Sequence, residues 1–381
     1  MGRVGWRYFA KRIVGDGTEV MVCPSLPAED VKFENVLSGT GSMSFTLEPG
    51  WPQLIQGGSP IINQWSTAIY AEYNGQIRGA GIVDSIDFDG PKIEGSCVSW
   101  TGYADGMPYT GDGYLGVQVE PLDVVRNIWG HLQSQPGGNI GLKMGAGATG
   151  KKIGTALKQG QFDTVSGPLR YEDGPYKLNW YTSHDLGAEI NKLSKEQGFD
   201  YRERHAFNAN GDVEHFLDFG APNFIRRRTD IAFRWGVNVL PALRFHRQGN
   251  DYASGVVVLG GGEGAAMAHS IMEPQPRPGD RLRRVVVVQD DRLGKKESLE
   301  WRGRAELQWR KSLTDVDTVD VIDHPYAPLG SVSLGDEIRF MGRGEWADLD
   351  TWAKVVSISY SPEKAESATY KLVRTDKIFE R

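Results

Sequence analysis

The chain has 381 residues, 48 of them glycine, with 39% hydrophobic residues, eleven tryptophans and a formal net charge of -6. That length suits two to four domains with well-filled cores, and a mildly acidic balance with both signs interspersed leaves no electrostatic footprint for a dedicated nucleic-acid binder. Glycine stands at nearly twice its usual share of roughly 7%, so chance matches to glycine-rich motifs are expected and need structural context.

The first hundred residues predict a run of hairpins. "GWRYFAKRIV", Gly15-Asp16-Gly17 and "TEVMVC" read as strand, turn, strand. "SMSFTLE" alternates Met43, Phe45 and Leu47 on one face, a half-buried strand. "STAIYAEY" meets "QIRGAGIVDSIDF" across Asn74-Gly75, whose residues both tolerate positive φ, and Asp89-Gly90 opens "KIEGSCVSW". Such regular antiparallel runs imply a small barrel or sandwich. Cys23 and Cys97 each fall inside a strand, as buried small hydrophobes would. Neither lies in a CxxC or Cys/His cluster, which leaves zinc unsupported. The N-terminus lacks the apolar stretch of a secretory signal, and nothing approaches the ~18 apolar residues of a membrane span. The expectation is a soluble, cytoplasmically made chain without disulfides or a stable membrane anchor.

Helical spacing follows. Pro121 opens a helix whose apolar face is Val124, Val125, Ile128, Trp129 and Leu132. Residues 134–176 are glycine-rich and irregular. A second helix is expected from about Ser183 to Gln197, with Gly198 as its stop. "FDYRERHAF", Asn210-Gly211 and "DVEHFLDFG" form a further hairpin, giving an α+β middle region. From Asp230 the pattern returns to strands in "IAFRWGVNVL", "LRFHR" and "ASGVVVLG". A proline-rich break, the strand "VVVVQ" and a helix around Leu299 to Trp309 come next, and "DTVDVI", "GDEIRFMG", "WAKVVSISYS" and "ATYKLVR" close the chain.

Two glycine motifs are decoys by their context. Gly145 to Lys152 reads G-x-x-x-x-G-K-K, but Lys152 stands where a P-loop needs a hydroxyl for Mg²⁺, and Gly154 and Gly160 interrupt the helix that should follow. Gly260, Gly262 and Ala265 fit G-x-G-x-x-A, yet Pro274, Pro276 and Pro278 leave no room for the crossover helix of a dinucleotide fold. The seven histidines are scattered. His205 and His215 can face each other across the 208–211 turn, as a surface cross-strand pair rather than a metal site. Carboxylates are plentiful, so choosing two as an acid/base pair is arbitrary. The sequence therefore nominates no catalytic, cofactor-binding or metal-ligating residue, and points away from an enzyme.

One internal likeness stands out. "VDSIDFDGPKIE" (Val83 to Glu94) and "VVSISYSPEKAE" (Val355 to Glu366) superpose without a gap, sharing Val, Ser-Ile, an aromatic, Lys and Glu. It reads as the trace of a duplicated β-module.

The order of parts, above all the helix-then-"GFDYRERHAFNANGDVEHFLDF" unit, the "WGVNVL" strand and the closing "PLGSVSLGDEI" hairpin, resembles the tail-hub (baseplate-hub) proteins of tailed bacteriophages, in particular the minor tail proteins of siphophages infecting actinobacteria. The resemblance implies a mainly β chain with α+β inserts: two homologous antiparallel β-barrels, at 1–105 and at 221–260 plus 315–381, an α+β domain at 106–220, and a smaller inserted domain at 261–314. It also implies a homotrimer in the virion that adapts a sixfold tail tube to a threefold tip. Its partners would be a distal tail or tube protein on one side and tip or fibre proteins on the other, with the tape-measure C-terminus as a further candidate and DNA only in transit. No cofactor is implied. Two rival readings are a carbohydrate-binding or glycan-degrading β-protein, whose Trp-rich hairpins would stack on sugars, and a nucleotide-dependent enzyme that Lys151→Ala would cripple.

Overall fold

In a computed structural model the described residues are 5–374, apart from 49–53, 57–58, 91, 165–166, 241–244, 248–251, 262–263, 265–266, 274–281, 291–295, 311–313, 344–347 and 363–366. The first hundred residues supply β1 (Trp6–Ile13), β2 (Glu19–Cys23), β3 (Ala28–Val36), β4 (Ser42–Leu47) and the two-residue strands β5 (Ile55–Gln56) and β6 (Ser59–Pro60). They continue with β7 (Thr67–Tyr73), β8 (Gln76–Asp89) and β9 (Lys92–Val98). The middle holds β10 (Tyr114–Gly116), α1 (Pro121–Ser134), β11 (Leu142–Met144), β12 (Lys158–Thr164), β13 (Gly167–Asp173) and β14 (Tyr176–Leu178). It ends with α2 (Leu186–Gln197), β15 (Asp200–Phe207) and β16 (Val213–Gly220). Then come β17 (Arg226–Arg227), β18 (Phe233–Arg234), β19 (Phe245–Arg247), β20 (Gly255–Leu259), β21 (His269–Met272), β22 (Val285–Gln289) and α3 (Lys296–Arg310). The chain closes with β23 (Thr314–Val316), β24 (Thr318–Ile322), β25 (Asp336–Arg343), β26 (Asp348–Tyr360) and β27 (Ser367–Arg374). The architecture is mainly β with α+β parts, as the sequence implies.

The N- and C-terminal portions join in one thirteen-stranded sheet. Its main path runs β17-β25-β26-β3-β4-β9-β8-β7-β1-β2, with β18 beside β25 and β27 bridging β26 and β24. The joint is β3 against β26, antiparallel, with Ser357 opposite Val36 and Tyr360 opposite Phe33. One hydrophobic core therefore spans both ends of the chain, from Val31, Phe33 and Phe45 to Ile338, Phe340 and Tyr370.

Within that sheet two four-stranded blocks share strand order and register, up to a bulge at Arg78 of β8 that has no counterpart between β25 and β26. The order is β4-β9-β8-β7 in one and β24-β27-β26-β25 in the other, antiparallel throughout. Val83 pairs with Cys97 and Ser85 with Ser96, so Asp84 is bulged. Val355 pairs with Leu372 and Ser357 with Lys371, so Val356 is bulged. Both bulges fall at the same position of the repeated sequence, where an extra residue bends the strand and raises its twist. A positive-φ residue enters each block, Trp65 (φ 54) and Gly335 (φ 89), and donates its N–H to the carbonyl of Val83 and Val355 respectively, at 2.7 and 2.8 Å. One rung trades volume across the strands. Phe45 faces Gly95 in the first block, whereas Val319 faces Tyr370 in the second. A Cβ on Gly95 would come within 2.2 Å of the Phe45 ring, so the large residue on one strand requires the small one opposite.

The α+β part lies on the outer face of β1, β7 and β8. Strand periodicity places Ile69, Ala71 and Tyr73 in the shared core and Ala68 and Tyr70 in a second one. There they meet Val124, Ile128 and Trp129 of α1 and Leu186, Ile190 and Leu193 of α2. This accounts for the near-continuous burial of "TAIYAEY": β7 is covered on both sides. Asp185 caps α2 by accepting the Ala188 N–H at 2.8 Å, and Gly198 ends it in the left-handed region at φ 66.

Several expectations need correction. The second helix starts at Leu186 rather than near Ser183, because Asp185 is its cap. The stretch expected to be irregular at 134–176 contains a seven-rung hairpin, β12 against β13. "WGVNVL" is a turn, not a strand. Trp235 and Val239 bridge across Gly236 (φ 76), and the buried Asn238 accepts the Arg234 N–H and donates to the Ala232 carbonyl, each at 2.8 Å. A side-chain amide that serves two backbone groups competes with a sheet ladder. "PLGSVSLGDEI" is not a hairpin: residues 328–335 are a loop leading into β25, which opens at Asp336. Finally β20, placed in the second barrel at 221–260, belongs with the insert. It pairs with β21 and β22, and Val256 and Val258 form a small separate core with Leu299 and Leu307 of α3. A run of valines specifies a strand but not the sheet it joins.

Candidate functional site

A buried polar chain crosses the junction between the first β-block and the α+β part. It begins at Lys11 on β1, whose Nζ lies 3.3 Å from Glu19 Oε2 on β2. Glu19 Oε1 accepts the Tyr70 hydroxyl at 2.5 Å and lies 3.2 Å from His215 Nε2. His215 Nδ1 meets His205 Nδ1 at 2.8 Å, the two being direct partners across β15 and β16. His205 Nε2 lies 3.3 Å from Glu203 Oε2. Glu203 in turn accepts the N–H groups of Trp100 and Thr101 at 3.1 and 2.6 Å and the Thr101 hydroxyl at 2.5 Å. The fully buried Trp100 stacks on His215, ring centroids 4.2 Å apart, and donates Nε1–H to the Ile140 carbonyl at 3.2 Å.

Electrostatics follow from this packing. Burial pulls His215 below the usual imidazole value, and the neighbouring His205 pulls the same way against the hydrogen bond with Glu19. Burial alone would raise Glu19, but His215, Tyr70 and Lys11 outweigh it and hold the carboxyl below its ordinary range. Glu203 is also net lowered, by His205 and Thr101 against burial. Burial and the facing Glu19 push the Tyr70 phenol well up, so it stays a donor. Two rings meeting nitrogen to nitrogen need one shared proton. A second would set two N–H donors face to face. The arrangement ties β1, β2 and β7 to β15 and β16 through buried groups that are hydrogen-bonded apart from Glu19 Oε2, which has the Lys11 ammonium 3.3 Å away, and such a network fixes relative position.

The histidine pair is therefore not the surface pair that the sequence suggests, since His215 is 2% exposed. Period-2 alternation shows the two rings facing each other. It does not show that β7 and the Trp100 turn close over them. Lys11, Glu19, Tyr70 and Trp100 come from distant stretches, and no spacing rule brings them to the histidines. Among the described residues no group of three or more His, Cys, Asp or Glu is placed to hold a metal ion.

The first glycine motif is a loop, whereas Gly262 and Ala265 of the second lie outside the described residues. Residues 145–152 contain no helix. Glu120 Oε1 accepts the Thr149 N–H and hydroxyl at 2.6 and 2.5 Å, placing a carboxylate where a P-loop would hold phosphate. Arg126 donates to the Gly145 and Gly147 carbonyls at 3.1 and 2.8 Å, and Lys151 Nζ to the Gln197 carbonyl at 2.5 Å. Gly260 lies in the connection from β20 to β21, its N–H donated to Ala268 O at 2.7 Å, and the two strands pair antiparallel rather than as the parallel strands of a dinucleotide fold. Both cysteines are buried and unpaired. No described helix is long and apolar enough to cross a membrane.

No protein-family model and no curated protein sequence matches the chain. The fold, however, is that of phage tail proteins. It is similar to the 43 kDa tail protein of prophage MuSo2 from Shewanella oneidensis, with a TM-score of 0.55 at 14% identity over 97% of this chain and 99% of that one. Prophage tail protein gp18 from Listeria monocytogenes EGD-e gives 0.54 at 12% identity over 98% and 95% of the two chains. The tail protein from Neisseria meningitidis MC58 gives 0.54 at 13% identity over 99% and 98%.

Proposed function

We propose that the chain is a structural component of a phage virion, a trimeric tail hub that converts the sixfold symmetry of a tail tube into the threefold symmetry of a tip. The observation that carries this reading is the pair of four-stranded blocks with the same strand order and with a bulge at the same place in the repeat, after Val83 and Val355. Three chains presenting two near-equivalent blocks each offer six similar surfaces to a tube and three copies of everything else to a tip. Closed cyclic symmetry limits such an assembly to a ring. Likeness of fold to tail proteins over nearly the whole chain supports the assignment.

The remaining parts of the proposal follow from this geometry. A distal tail or tube protein meets the six-block face. Tip or fibre proteins, with the tape-measure C-terminus as a further candidate, meet the opposite one, and DNA passes without being held. An acidic balance suits such transit, since few phosphate contacts mean little retention. The resemblance in the order of parts to minor tail proteins of siphophages infecting actinobacteria supports a phage of that kind as the source. The role is mechanical, with no catalytic step. Light scattering and negative-stain electron microscopy on the purified protein test it: the expected mass is that of three chains of 42.1 kDa, with six lobes in projection, and a monomer at every concentration overturns it.

A further inference from the structure

The two blocks differ at one edge. Beyond its bulge, β26 pairs with β27 on one side and, through Ser357–Tyr360, with β3 on the other. Among the described residues the counterparts in β8, Ser85–Phe88, pair with β9 alone. Leu37, just past the end of β3, fixes the register of the seam by donating its N–H to the Val356 carbonyl at 2.9 Å. The matching acceptor on β8 is the Asp84 carbonyl. Tyr360 is 3% exposed and stacks on Phe33 with centroids 4.9 Å apart, whereas Phe88, at the same place in the repeat, is 69% exposed. An unpaired edge carrying an exposed aromatic is a template for another strand.

The chain also contains the counterpart of β3. In the first block β3 pairs antiparallel with β4, Glu34 opposite Ser42. In the second, β19 pairs antiparallel with β23, Phe245 opposite Val316, and β23 leads within two residues into β24, the counterpart of β4. Following the matched registers sets Glu34–Val36 against Phe245–Arg247. Among the described residues β23 is the one strand paired with β19. The seam between the blocks of one chain is already filled by β3, so a strand for the open edge of β8 comes from another copy.

We propose that β19 of one copy adds antiparallel to Ser85–Phe88 of a second copy, in the register of the internal seam: Ser85 opposite Arg247, Ile86 opposite His246, Asp87 opposite Phe245. The charges agree. The edge reads Asp84-Ser85-Ile86-Asp87, and the incoming strand brings His246 and Arg247. Asp87 and Arg247 fall at diagonal positions, within reach of a long side chain. This assignment rests on the ring reading above and names its joint.

The test is the full chain carrying Ser85→Cys together with Arg247→Cys, mildly oxidised and run without reductant. The native Cys23 and Cys97 are each 2% exposed and contribute little background. A covalent trimer is expected from the double variant and from neither single one. A trimeric mass without the crosslink, or a disulfide closed within one chain, overturns the strand pairing and leaves the hub standing. A monomer at every concentration overturns both. Charge exchange reads the same contact without cysteine chemistry. Asp87→Arg and Arg247→Asp should each raise the concentration needed for assembly by about 5-fold, and the two together should restore it. Independent, additive losses count against the pairing.

Discussion

At the residue scale, His215 makes stability depend on pH in one direction. Its folded value lies below the usual 6.5, so as pH falls past about 6.5 the unfolded chain takes up a proton that the folded chain resists, and stability declines. Glu19 and Glu203, held below 4.5, act in the same sense further down, their contribution being lost as pH falls through their folded values. The melting temperature should therefore drop between pH 7 and pH 5. His215→Gln should lower it at pH 7 yet flatten that drop, and an unchanged slope in scanning fluorimetry counts against the buried chain as its cause. Lys151→Ala offers the contrast. It removes one hydrogen bond to a surface carbonyl, so stability should move by no more than about 0.5 kcal/mol, and nucleotide should leave the melting curve of either form unshifted. Ligand-induced stabilisation that the substitution abolishes would revive the P-loop reading.

At the element scale, what could be read from the sequence depended on whether the signal was local. Hairpins at Asn74-Gly75 and Asn210-Gly211, the apolar faces of α1 and α2 and the stop at Gly198 all rest on periodicity or turn chemistry within a dozen residues. The repeat at Val83 and Val355 even marked the bulges, because the same local sequence solves the same bend twice. The failures are of another kind. Asn238 turns a strand-like "WGVNVL" by bonding to its own backbone, and β20 is paired by strands that arrive later in the chain. The buried polar chain was invisible because its members lie on five strands and the Trp100 turn. Helix ends are where local reading can be tested. Asp185→Ala removes the cap of α2 and should cost about 1 kcal/mol, read from urea unfolding with an unchanged slope. Asp185→Ser should recover most of it, and equal losses for both would assign the effect to something other than the cap.

For the whole molecule, the matched blocks say where the chain tolerates a cut. In the first block five residues, 37–41, join β3 to β4. In the second, the corresponding strands β19 and β23 are paired with Arg247 opposite Thr314, so the two ends of the intervening segment sit on neighbouring strands. That segment carries β20, β21, β22 and α3, whose core of Val256, Val258, Leu299 and Leu307 is separate from the large shared one. An insertion at a hairpin end, with its own core, is removable where few contacts cross the boundary. Replacing 248–313 by a five-residue Gly/Asn linker should leave a protein that unfolds in a single transition with unchanged near-ultraviolet circular dichroism. The β3–β26 seam and the core built on it are untouched. Assembly should survive too, since β19 and the β8 edge both remain. Loss of cooperative unfolding would mean that the insert braces the second block. A folded but permanently monomeric product would place the joint between copies in the insert instead of in the sheet edge.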